Sequence, residues 1–521
     1  MKEGISALLF KIGLTSLFLV FAVFTLSIVV TGQELQVAVH LQGAEVVPYW
    51  DPSDGASGEI GLMNNLYEAL LRYNAVTNTF TPILATSYEQ SEDAKTWTFK
   101  LRKGVKFHTG NTMDARAVKA SIDRTIERDR GSAYIWSPVD SIEVVDDYTV
   151  RFHLRQSAPL DLIAAAGYCA YIFDPEYSDH DWFNAGNDSG TGPYTVESSE
   201  GSEKVITKKF DDYWGGWEGK HFDRVVFLSV SEASTRRLML ETGKADFCEQ
   251  LPPTDIDALK GNPAVRVEVN PSFQNLMVLY NNQRAPLDNK LVRRAMSYLI
   301  PYEDTVAVAL GGHGHVSRGV IPYGLWGYSD RVETFTDSPT VAKALLAQAG
   351  YPDGGFKLLL TYPAGYEDIR MTVELWKAAC AELNITLDTR AMPTAERNAI
   401  ARSPDPEKRQ DIYLLYWWPD YANPDSFLSG MFYTQERPAY NLGYYSNPVF
   451  DALIDYVVTL PTGSQEAIDM MVELQNILQQ DAAGIAVWDM QYRRAISASL
   501  KGYVDNAAYP NVAFWYNCYR E

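Results

Sequence analysis

Apolar positions follow two periods along this chain, and each period predicts a different kind of element. Segment 65–78 carries leucines at helical spacing and then Asn and Thr residues, which predicts a helix closed by a turn. In segment 96–102, TWTFKLR, apolar and polar residues alternate as they do in a half-buried strand. A turn at Lys103 and Gly104 leads to a second short strand, and Asp114 then occupies the N-cap position of a helix. The whole run predicts one compact unit.

The rest of the chain alternates strands with helices. LQVAVH predicts an early strand, and IEVVDDYTVRFHL predicts a strand pair that turns at Asp146 and Asp147. Beyond Asn281, the helix VAKALLAQAG ends at Gly350 and is followed by the strand FKLLLTY. The helix MTVELWKAACAEL then ends at Asn384, before the strand ITLDTRAM. Because such a strand, helix, strand succession normally forms a right-handed parallel crossover, the predicted fold class is α/β.

Several stretches resemble one known family, in that family's own order. After the unit at 65–128 they are GTGPYTV at 190–196, FDDYWGG at 210–216, LETGKADF at 240–247, LYNNQRAPLDNKLVRRAMSYLI at 279–300 and VAKALLAQAGYPDGGF at 341–356. Together they closely resemble solute-binding protein family 5, the peptide, nickel and oligosaccharide receptors of bacterial and archaeal ABC importers. The resemblance covers most of the chain.

The resemblance implies a two-lobe periplasmic-binding-protein fold of the large type II class, with an extra subdomain. Lobe I would combine residues 33–65, 190–280 and 490–521, with 66–189 as its accessory subdomain, and residues 281–489 would form lobe II. The chain would cross between the lobes near 280 and again near 490. Two crossings make a hinge that can close over a ligand.

Composition and charge narrow the class of protein. A chain of 521 residues with 46% hydrophobic residues is globular and long enough for two to four domains. The net charge of −21 argues against nucleic acid or an anionic membrane surface as a partner, since both are polyanions.

The first 32 residues predict export. Lys2 and Lys11 precede the uncharged run from Ile12 to Val30, the pattern of a signal peptide. The run has nineteen residues, so a retained membrane anchor is the alternative. We expect residues 1–32 to be one or the other, and the mature protein to act in the periplasm or at the outer face of the cytoplasmic membrane.

Metal and thiol chemistry receive little support from the sequence. The chain has four cysteines, Cys169, Cys248, Cys380 and Cys518, whose wide spacing is unlike a metal site and leaves both disulfides and buried free thiols open. His313 and His315 fall short of a full ligand set. We predict neither a metal site nor a cofactor.

The sharpest candidate site is DIYLLYWWPDYANPDSFL, from Asp411 to Leu428. Its first half predicts an apolar and aromatic strand that Pro419 ends, and open α/β sheets bind ligands at the carboxyl ends of their strands. In the peptide-binding branch of the family, an Asp that matches Asp420 receives the ligand's N-terminal amine. It stands three residues after a Trp that matches Trp417. Alternatively, Asp420 caps the next turn or pairs with a local arginine.

Aromatic residues complete the candidate site. We expect ligand contacts from Tyr416, Trp417, Trp418 and Tyr421, although core packing of the alternating strand residues is an alternative for the first three. From the other lobe, the candidate contacts are Trp50 and Trp488.

The resemblance leaves a ligand carboxylate without an assigned partner. Some oligopeptide binders of the family place an arginine six residues before the anchoring aspartate, and Leu414 stands there in this chain. Arg402 and Arg409 are the nearest substitutes, but their polar surroundings, ARSPDPEKRQ, predict that they are solvated.

The predicted function is therefore capture of di- or oligopeptides between two lobes and delivery to the permease of an ABC importer. The ATPase would be carried by separate chains, since GxxxxGK[ST] is missing, and we expect the receptor to be a monomer. One alternative keeps the fold with an oligosaccharide or nickel chelate as ligand. Another is a secreted carboxylate-dependent hydrolase, although no catalytic residues are predicted and neither GxSxG nor HExxH occurs.

Overall fold

The computed structural model describes residues 35–55, 58–77, 79–436, 438, 440–460 and 462–521. The segment 1–32, predicted as a signal peptide or membrane anchor, lies outside these residues. Within them, no helix has both the length and the apolar character required to cross a bilayer.

The described residues form nineteen strands and fourteen α-helices. The strands are β1 (Val37–Gln42), β2 (Leu71–Asn74), β3 (Thr79–Pro82), β4 (Ala85–Gln90), β5 (Thr96–Leu101), β6 (Val139–Asp146), β7 (Thr149–Leu154), β8 (Tyr194–Glu200), β9 (Lys204–Lys209), β10 (Arg224–Ser229), β11 (Phe247–Cys248), β12 (Val265–Tyr280), β13 (Gly314–Val316), β14 (Lys357–Pro363), β15 (Thr386–Met392), β16 (Ile412–Trp417), β17 (Gly484–Ser497), β18 (Leu500–Lys501) and β19 (Tyr519–Arg520). The helices are α1 (Ile60–Leu66), α2 (Ala115–Arg128), α3 (Leu160–Ile163), α4 (His180–Asn184), α5 (Ala233–Glu241), α6 (Pro253–Leu259), α7 (Lys290–Tyr298), α8 (Tyr302–Ala309), α9 (Pro339–Gln348), α10 (Glu367–Glu382), α11 (Thr394–Ala401), α12 (Asp425–Phe432), α13 (Pro448–Val457) and α14 (Gln465–Asp481).

One large sheet runs through both lobes, in the order β15-β14-β16-β12-β17-β11-β1-β10-β9-β8, with β13 attached to β17. The strands β12 and β17 have 16 and 14 residues, and they pair with each other along most of their length. Toward lobe II β12 also pairs with β16, and toward lobe I β17 also pairs with β11. The predicted crossings near 280 and 490 therefore fall at the end of β12 and within β17, and the β12–β17 register shifts between Pro271 and Asn275 and between Asn275 and Met277. The exact domain bounds stay a prediction.

The accessory subdomain is built as the local sequence pattern predicts. Its sheet, β4-β5-β7-β6, is antiparallel and contains the predicted TWTFKL strand as β5. The Asp114 carboxylate accepts hydrogen bonds from the backbone N–H groups of Arg116 and Ala117, both at 2.9 Å, and so caps α2 as expected. The β6–β7 turn is also confirmed, because Asp146 accepts a hydrogen bond from the backbone N–H of Tyr148.

Two local predictions in this region are wrong. The helix expected in segment 65–78 ends at Leu66, and the leucines that follow lead into the strand β2. Tertiary contacts override the helical spacing here, since the buried Glu68 carboxylate accepts hydrogen bonds from Thr191, Tyr213 and Trp214. The second short strand expected after Gly104 is only an isolated bridge between Lys106 and Thr112.

In lobe II, the predicted parallel crossover is confirmed. The strands β14 and β15 pair in parallel from Lys357 to Pro363, with α10 between them in the chain. Asn384, just after α10, has a φ of 56°, as the end of that helix requires.

Three of the hydrophobic cores determine how the lobes meet. Lobe I and lobe II each have a core of their own, whereas the largest core joins the accessory subdomain to α12, α13 and α14 of lobe II. The accessory subdomain therefore packs directly against the part of lobe II that contains Asp420.

The four cysteines are free thiols, and all four are buried. Of the two alternatives that the sequence leaves open, disulfides and buried free thiols, the structure has the free thiols.

Candidate functional site

The cleft lies where the parallel strands of each lobe end. In lobe II, β14 and β16 run parallel, and Tyr366 and Asp420 follow their carboxyl ends. In lobe I, β1 and β11 run parallel, and Glu249 follows β11. Burial raises the pKa of the Tyr366 hydroxyl, and the nearby carboxylates of Asp368 and Glu249 raise it further. The strand ends of the two lobes therefore face each other, where open α/β sheets bind ligands.

The Asp420 carboxylate connects lobe II to the accessory subdomain. Its Oδ1 accepts a hydrogen bond from Ser132 Oγ at 2.6 Å, and its Oδ2 accepts one from the Tyr134 hydroxyl. Burial raises the pKa of Asp420, and these hydrogen bonds offset that rise only in part. No Lys, Arg or His among the described residues forms an ion pair with it. Asp420 is therefore a half-buried carboxylate held by neutral donors alone.

Trp417 lies on the same side of the cleft as Asp420. Its side chain is buried, and its ring lies 4.9 Å from that of Tyr440, which in turn lies 6.2 Å from the ring of Tyr134. The Trp417 Nε1 atom is buried and has no hydrogen-bond partner in the described part of the chain. Trp417 thus contributes an aromatic wall and one unused donor.

Trp418 and Tyr421 extend this wall on either side of Asp420. Trp418 is hydrogen-bonded to the Tyr168 hydroxyl of the accessory subdomain. Burial, and then the carboxylates of Asp425 and Asp420, raise the pKa of Tyr421 well above its ordinary value. The structure therefore places Trp417, Trp418 and Tyr421 near Asp420, and their contact with a ligand stays a prediction.

Tyr416 faces another part of the cleft. Its ring lies 5.2 Å from that of Tyr366 and 5.7 Å from that of Trp488. The Tyr416 hydroxyl is buried, and burial together with the nearby Asp368 carboxylate raises its pKa well above the usual value. Trp488 itself is fully buried in the core of lobe II, where its Nε1 donates to Thr372 Oγ1 at 3.2 Å.

Trp50 occupies a comparable position in the other lobe. It is 8% exposed and belongs to the core of lobe I, where its ring packs near Gly186. Neither Trp50 nor Trp488 is therefore brought together with the group around Asp420.

Sequence reasoning missed Arg493, which lies on β17 close to the change of lobe. The residue is only 2% exposed, and its Nε and Nη1 atoms have no hydrogen-bond partner among the described residues. Burial lowers the pKa of the guanidinium, and the nearby Asp368 and Tyr416 act in the opposite direction. A signal was present, because two adjacent arginines interrupt the otherwise largely apolar strand GIAVWDMQYRRAIS.

Its neighbour Arg494 is equally buried, but polar and acidic groups contact its guanidinium. Arg494 Nη1 donates to the backbone oxygen of Glu249 at 2.6 Å and to Asn511 Oδ1 at 2.7 Å, and Nε lies 3.4 Å from Asp505 Oδ2. Burial acts to lower the pKa of Arg494, but Asp505 and the other acidic neighbours outweigh it and the pKa is raised.

Arg402 and Arg409, the two arginines considered as partners for a ligand carboxylate, have different environments. Arg402 is exposed, as expected. The expectation that Arg409 is solvated is wrong: its Nε donates to the Ser403 backbone oxygen and its Nη1 to Gln283 Oε1, each at 2.7 Å. Its guanidinium also lies over the Tyr444 ring, 3.4 Å from the centroid. Local hydrogen bonds therefore occupy Arg409 inside lobe II.

Comparisons with known proteins agree with this architecture. The chain is 29% identical over 432 residues to the probable D,D-dipeptide-binding periplasmic protein DdpA of Escherichia coli (strain K12), covering 81% of this chain and 82% of that protein. It is 29% identical over 429 residues to the glutathione-binding protein GsiB of Salmonella paratyphi A (strain ATCC 9150 / SARB42), covering 81% and 83%.

A solved structure extends the likeness to the whole fold. The ABC transporter-associated periplasmic binding protein DppA from Helicobacter pylori, in complex with peptide STSA, superposes with a TM-score of 0.82 at 25% identity. The match covers 93% of this chain and 98% of that one, which confirms the predicted two-lobe periplasmic-binding-protein fold.

The family itself follows from a match that spans most of the chain. The family model described as "Bacterial extracellular solute-binding proteins, family 5 Middle" matches residues 79–438. The match includes most of the accessory subdomain, β12 and the strand that leads to Asp420. The chain therefore belongs to the bacterial extracellular solute-binding proteins of family 5.

Proposed function

We propose that this protein captures a peptide between its two lobes and delivers it to the permease of an ABC importer. In this proposal Asp420 receives the N-terminal amine of the peptide, while Trp417, Trp418 and Tyr421 form an aromatic wall beside it. The relatives named above support a peptide as the ligand, because their names or titles specify a D,D-dipeptide, glutathione and the peptide STSA.

The observation that carries the proposal is the charge balance at Asp420. A carboxylate removed from water is costly unless a cation or several hydrogen bonds replace its hydration. Ser132 and Tyr134 donate hydrogen bonds but carry no charge, and burial still raises the pKa of Asp420. A ligand ammonium group would supply the missing charge and favour the ionised carboxylate. The site is therefore suited to a primary amine that arrives with the ligand.

In this proposal, closure of the lobes over the peptide links its binding to its delivery to the permease. Asp420 lies on lobe II and its two donors lie on the accessory subdomain, so a ligand at Asp420 would contact both bodies at once. The closed form is then the form that the permease would receive, with the ATPase on separate chains. In this proposal segment 1–32 directs export and is either removed or retained as an anchor.

The proposal is tested first by identifying the ligand. The chain without residues 1–32 is purified under mild conditions and its bound mass is read by native mass spectrometry. It is then stripped of ligand and offered a mixture of di-, tri- and tetrapeptides. We expect peptide masses in one or both experiments, whereas a carbohydrate or nickel complex as the only retained species would contradict the proposal.

The role of Asp420 is tested with a peptide that the protein retains. Isothermal titration calorimetry compares this peptide with its N-acetylated form, which has the same side chains but no ammonium group. We expect acetylation to weaken binding at least 100-fold in the natural protein, because it removes the charge-assisted contact. Equal affinity for the two forms would show that Asp420 does not recognise the amine.

A further inference from the structure

Two neighbouring polar side chains lie where the parallel strands β1 and β11 of lobe I end at the cleft. In the register of this pair, Leu41 is opposite Cys248. The ladder continues by one residue, because the backbone N–H of Glu249 donates to the Leu41 carbonyl oxygen at 3.2 Å. Gln42 and Glu249 are therefore opposite each other, with their side chains on the same face of the sheet. Both are buried, at 2% and 8% exposure.

His40 and Trp515 hold the Glu249 carboxylate in place. The indole Nε1–H of Trp515 donates to His40 Nδ1 at 3.4 Å, and since an indole nitrogen can only donate, the imidazole proton is on Nε2. That Nε2–H in turn donates to Glu249 Oε1 at 3.2 Å. The other carboxylate oxygen, Oε2, accepts no hydrogen bond from any described residue. The chain thus orients Glu249 through one oxygen and leaves the second oxygen unused.

Gln42 presents another unused acceptor beside Glu249. Its Nε2 donates to the backbone oxygen of Gly58 at 3.1 Å, which fixes the orientation of the amide and turns Oε1 to the other side. This Oε1 atom is buried and has no hydrogen-bond partner among the described residues. A buried amide oxygen without a donor is unfavourable, so such atoms normally have a partner. The partner here is not part of the described chain.

The charge of Glu249 is also without a lysine or arginine partner. Within the described residues, neither residue type forms an ion pair with its carboxylate. Arg494 is nearby, but its guanidinium donates to the backbone oxygen of Glu249 at 2.6 Å and lies 3.4 Å from Asp505 Oδ2. Burial, and then the carboxylates of Asp368 and Glu249, raise the pKa of the Tyr366 hydroxyl of lobe II. Glu249 therefore faces lobe II across the cleft.

We propose that Gln42 and Glu249 bind a positively charged side chain of the peptide, so that this protein prefers peptides that contain lysine or arginine. An ammonium or guanidinium group has several N–H donors, enough for both acceptors, and its charge complements Glu249. The inference rests on the proposed function, since the N-terminal amine would be held at Asp420 on lobe II. The net charge of −21 also favours association with cationic peptides.

The test compares lysine with norleucine, which keeps the side-chain carbons and lacks only the ammonium group. Lysine is placed at each position of tri-alanine in turn, and each peptide and its norleucine counterpart are titrated into the natural protein by calorimetry. We expect one position at which lysine is preferred by about 10- to 100-fold, the effect of a charge-assisted contact. Equal affinities at every position would overturn the inference, and this measurement needs no variant.

The variant Glu249→Gln assigns the preference to this carboxylate. It keeps the shape of the side chain and an acceptor for His40, so the fold should be retained. The preference for lysine should fall to less than about 3-fold, whereas N-acetylation of the peptide should still weaken binding about 100-fold. If Glu249→Gln keeps the lysine preference of the natural protein, the inference is wrong.

A matched variant separates a binding role from a structural one. Glu68→Gln makes the same change at another buried carboxylate, which already accepts hydrogen bonds from Thr191, Tyr213 and Trp214. It should leave the lysine preference unchanged, and an equal loss in this variant would refute the assignment to Glu249.

Gln42→Met tests the second acceptor. Only a neutral acceptor is removed, so the preference for lysine should fall by about 3- to 10-fold and no further. An unchanged preference would contradict the part of the inference that concerns Gln42.

The outcomes separate this inference from the proposed function. If the lysine and norleucine peptides bind equally well, peptide capture stands and the inference fails alone. If no peptide binds in either form, the proposed function fails and this inference fails with it.

Discussion

Asp51 is a buried and Asp420 a half-buried carboxylate, both at contacts of the accessory subdomain, yet their surroundings are opposite. Asp51 accepts hydrogen bonds from Arg124 Nη1 at 2.8 Å and Arg124 Nη2 at 2.7 Å, and its Oδ2 lies 2.9 Å from His180 Nδ1. Burial acts to raise the pKa of Asp51, but these contacts outweigh it and the pKa is lowered. At Asp420 burial prevails and the pKa is raised. The counter-cations of Asp51 therefore belong to the fold, whereas Asp420 has none among the described residues, and in the proposed function its ligand supplies one.

The same criterion explains a cluster that resembles a metal site. Carboxylate oxygens of Asp51 and Asp54 and a ring nitrogen of His180 lie within 4.8 Å of one another. However, Arg128 Nη2 lies 2.6 Å from Asp54 Oδ2, and Arg124 occupies both oxygens of Asp51. The arginines already supply the positive charge that a metal ion would bring. The cluster is therefore an ion-pair network between α2 and the loop after β1.

The largest expected effect is on the stability of the Asp51 region. Asp51→Asn leaves Arg124 and Arg128 with less compensation in a buried place, and breaking a buried pair by removing one partner costs about 3 to 5 kcal/mol. Urea unfolding followed by circular dichroism should show this loss. The matched variant Asp420→Asn removes a charge that has no described counterion, so its stability should change by less than about 1 kcal/mol. Equal losses in the two variants would remove the distinction between them.

The second prediction compares the same two variants by ligand affinity, and here the larger effect is expected for Asp420→Asn. Asp420→Asn should weaken binding of the retained peptide about 100-fold, or about 2.7 kcal/mol, because the amide keeps the shape but not the charge. Asp51→Asn, if it stays folded at low temperature, should bind within about 3-fold of the natural protein. Calorimetry on both variants provides the measurement, and an Asp420→Asn protein with natural affinity would refute the amine site.

Asp489 extends the comparison to a carboxylate in the hinge strand β17. It accepts hydrogen bonds from Ser317 Oγ at 2.6 Å and from the backbone N–H of Tyr323 at 2.8 Å. Burial raises the pKa of Asp489 to about 7. Because the folded protein holds this proton more tightly than the unfolded chain does, the stabilising contribution is present at acidic pH and is lost as the pH rises through about 7.

The third prediction follows from the direction in which the contribution of Asp489 to stability changes with pH. The free energy of unfolding of the natural protein, relative to Asp489→Asn, should fall by about 2.6 kcal/mol between pH 5 and pH 8, since about two pH units separate pH 5 from the folded pKa and each corresponds to about 1.4 kcal/mol. Denaturant melts at several pH values measure it. A difference that is constant with pH would mean that Asp489 does not titrate in this range.

The sequence predicts the fold better than the site, and the reasons are physical. The strand β5 and the helix α2 follow from local periodicity and from one capping residue, Asp114, whose contacts lie within three positions. The helix expected in segment 65–78 fails because Glu68 is held by partners more than 120 residues away, which no local pattern reports.

Within the site, a position at the end of a strand predicted which residue lies at the cleft, whereas aromatic character did not. Asp420 follows a predicted strand and does lie at the cleft, but its donors are 286 and 288 residues away in the chain. Trp50 and Trp488 have the expected aromatic character, yet an aromatic ring fits a core as well as a cleft. Arg493 carried a usable signal, since a charged residue inside an apolar strand must be compensated by something.

The smallest expected effect concerns the two hydroxyls that hold Asp420. Replacing Ser132 by Ala and Tyr134 by Phe removes both donors without altering any charge, and each neutral hydrogen bond contributes about 1 kcal/mol. Since these bonds join the accessory subdomain to lobe II, their loss should shift the population toward an open form. Small-angle X-ray scattering of the ligand-free double variant should give a larger radius of gyration than the natural protein. Added peptide should restore the compact value, because the ammonium group would still bind Asp420. A variant that stays as compact as the natural protein without peptide would mean that the cores, rather than Asp420, determine closure.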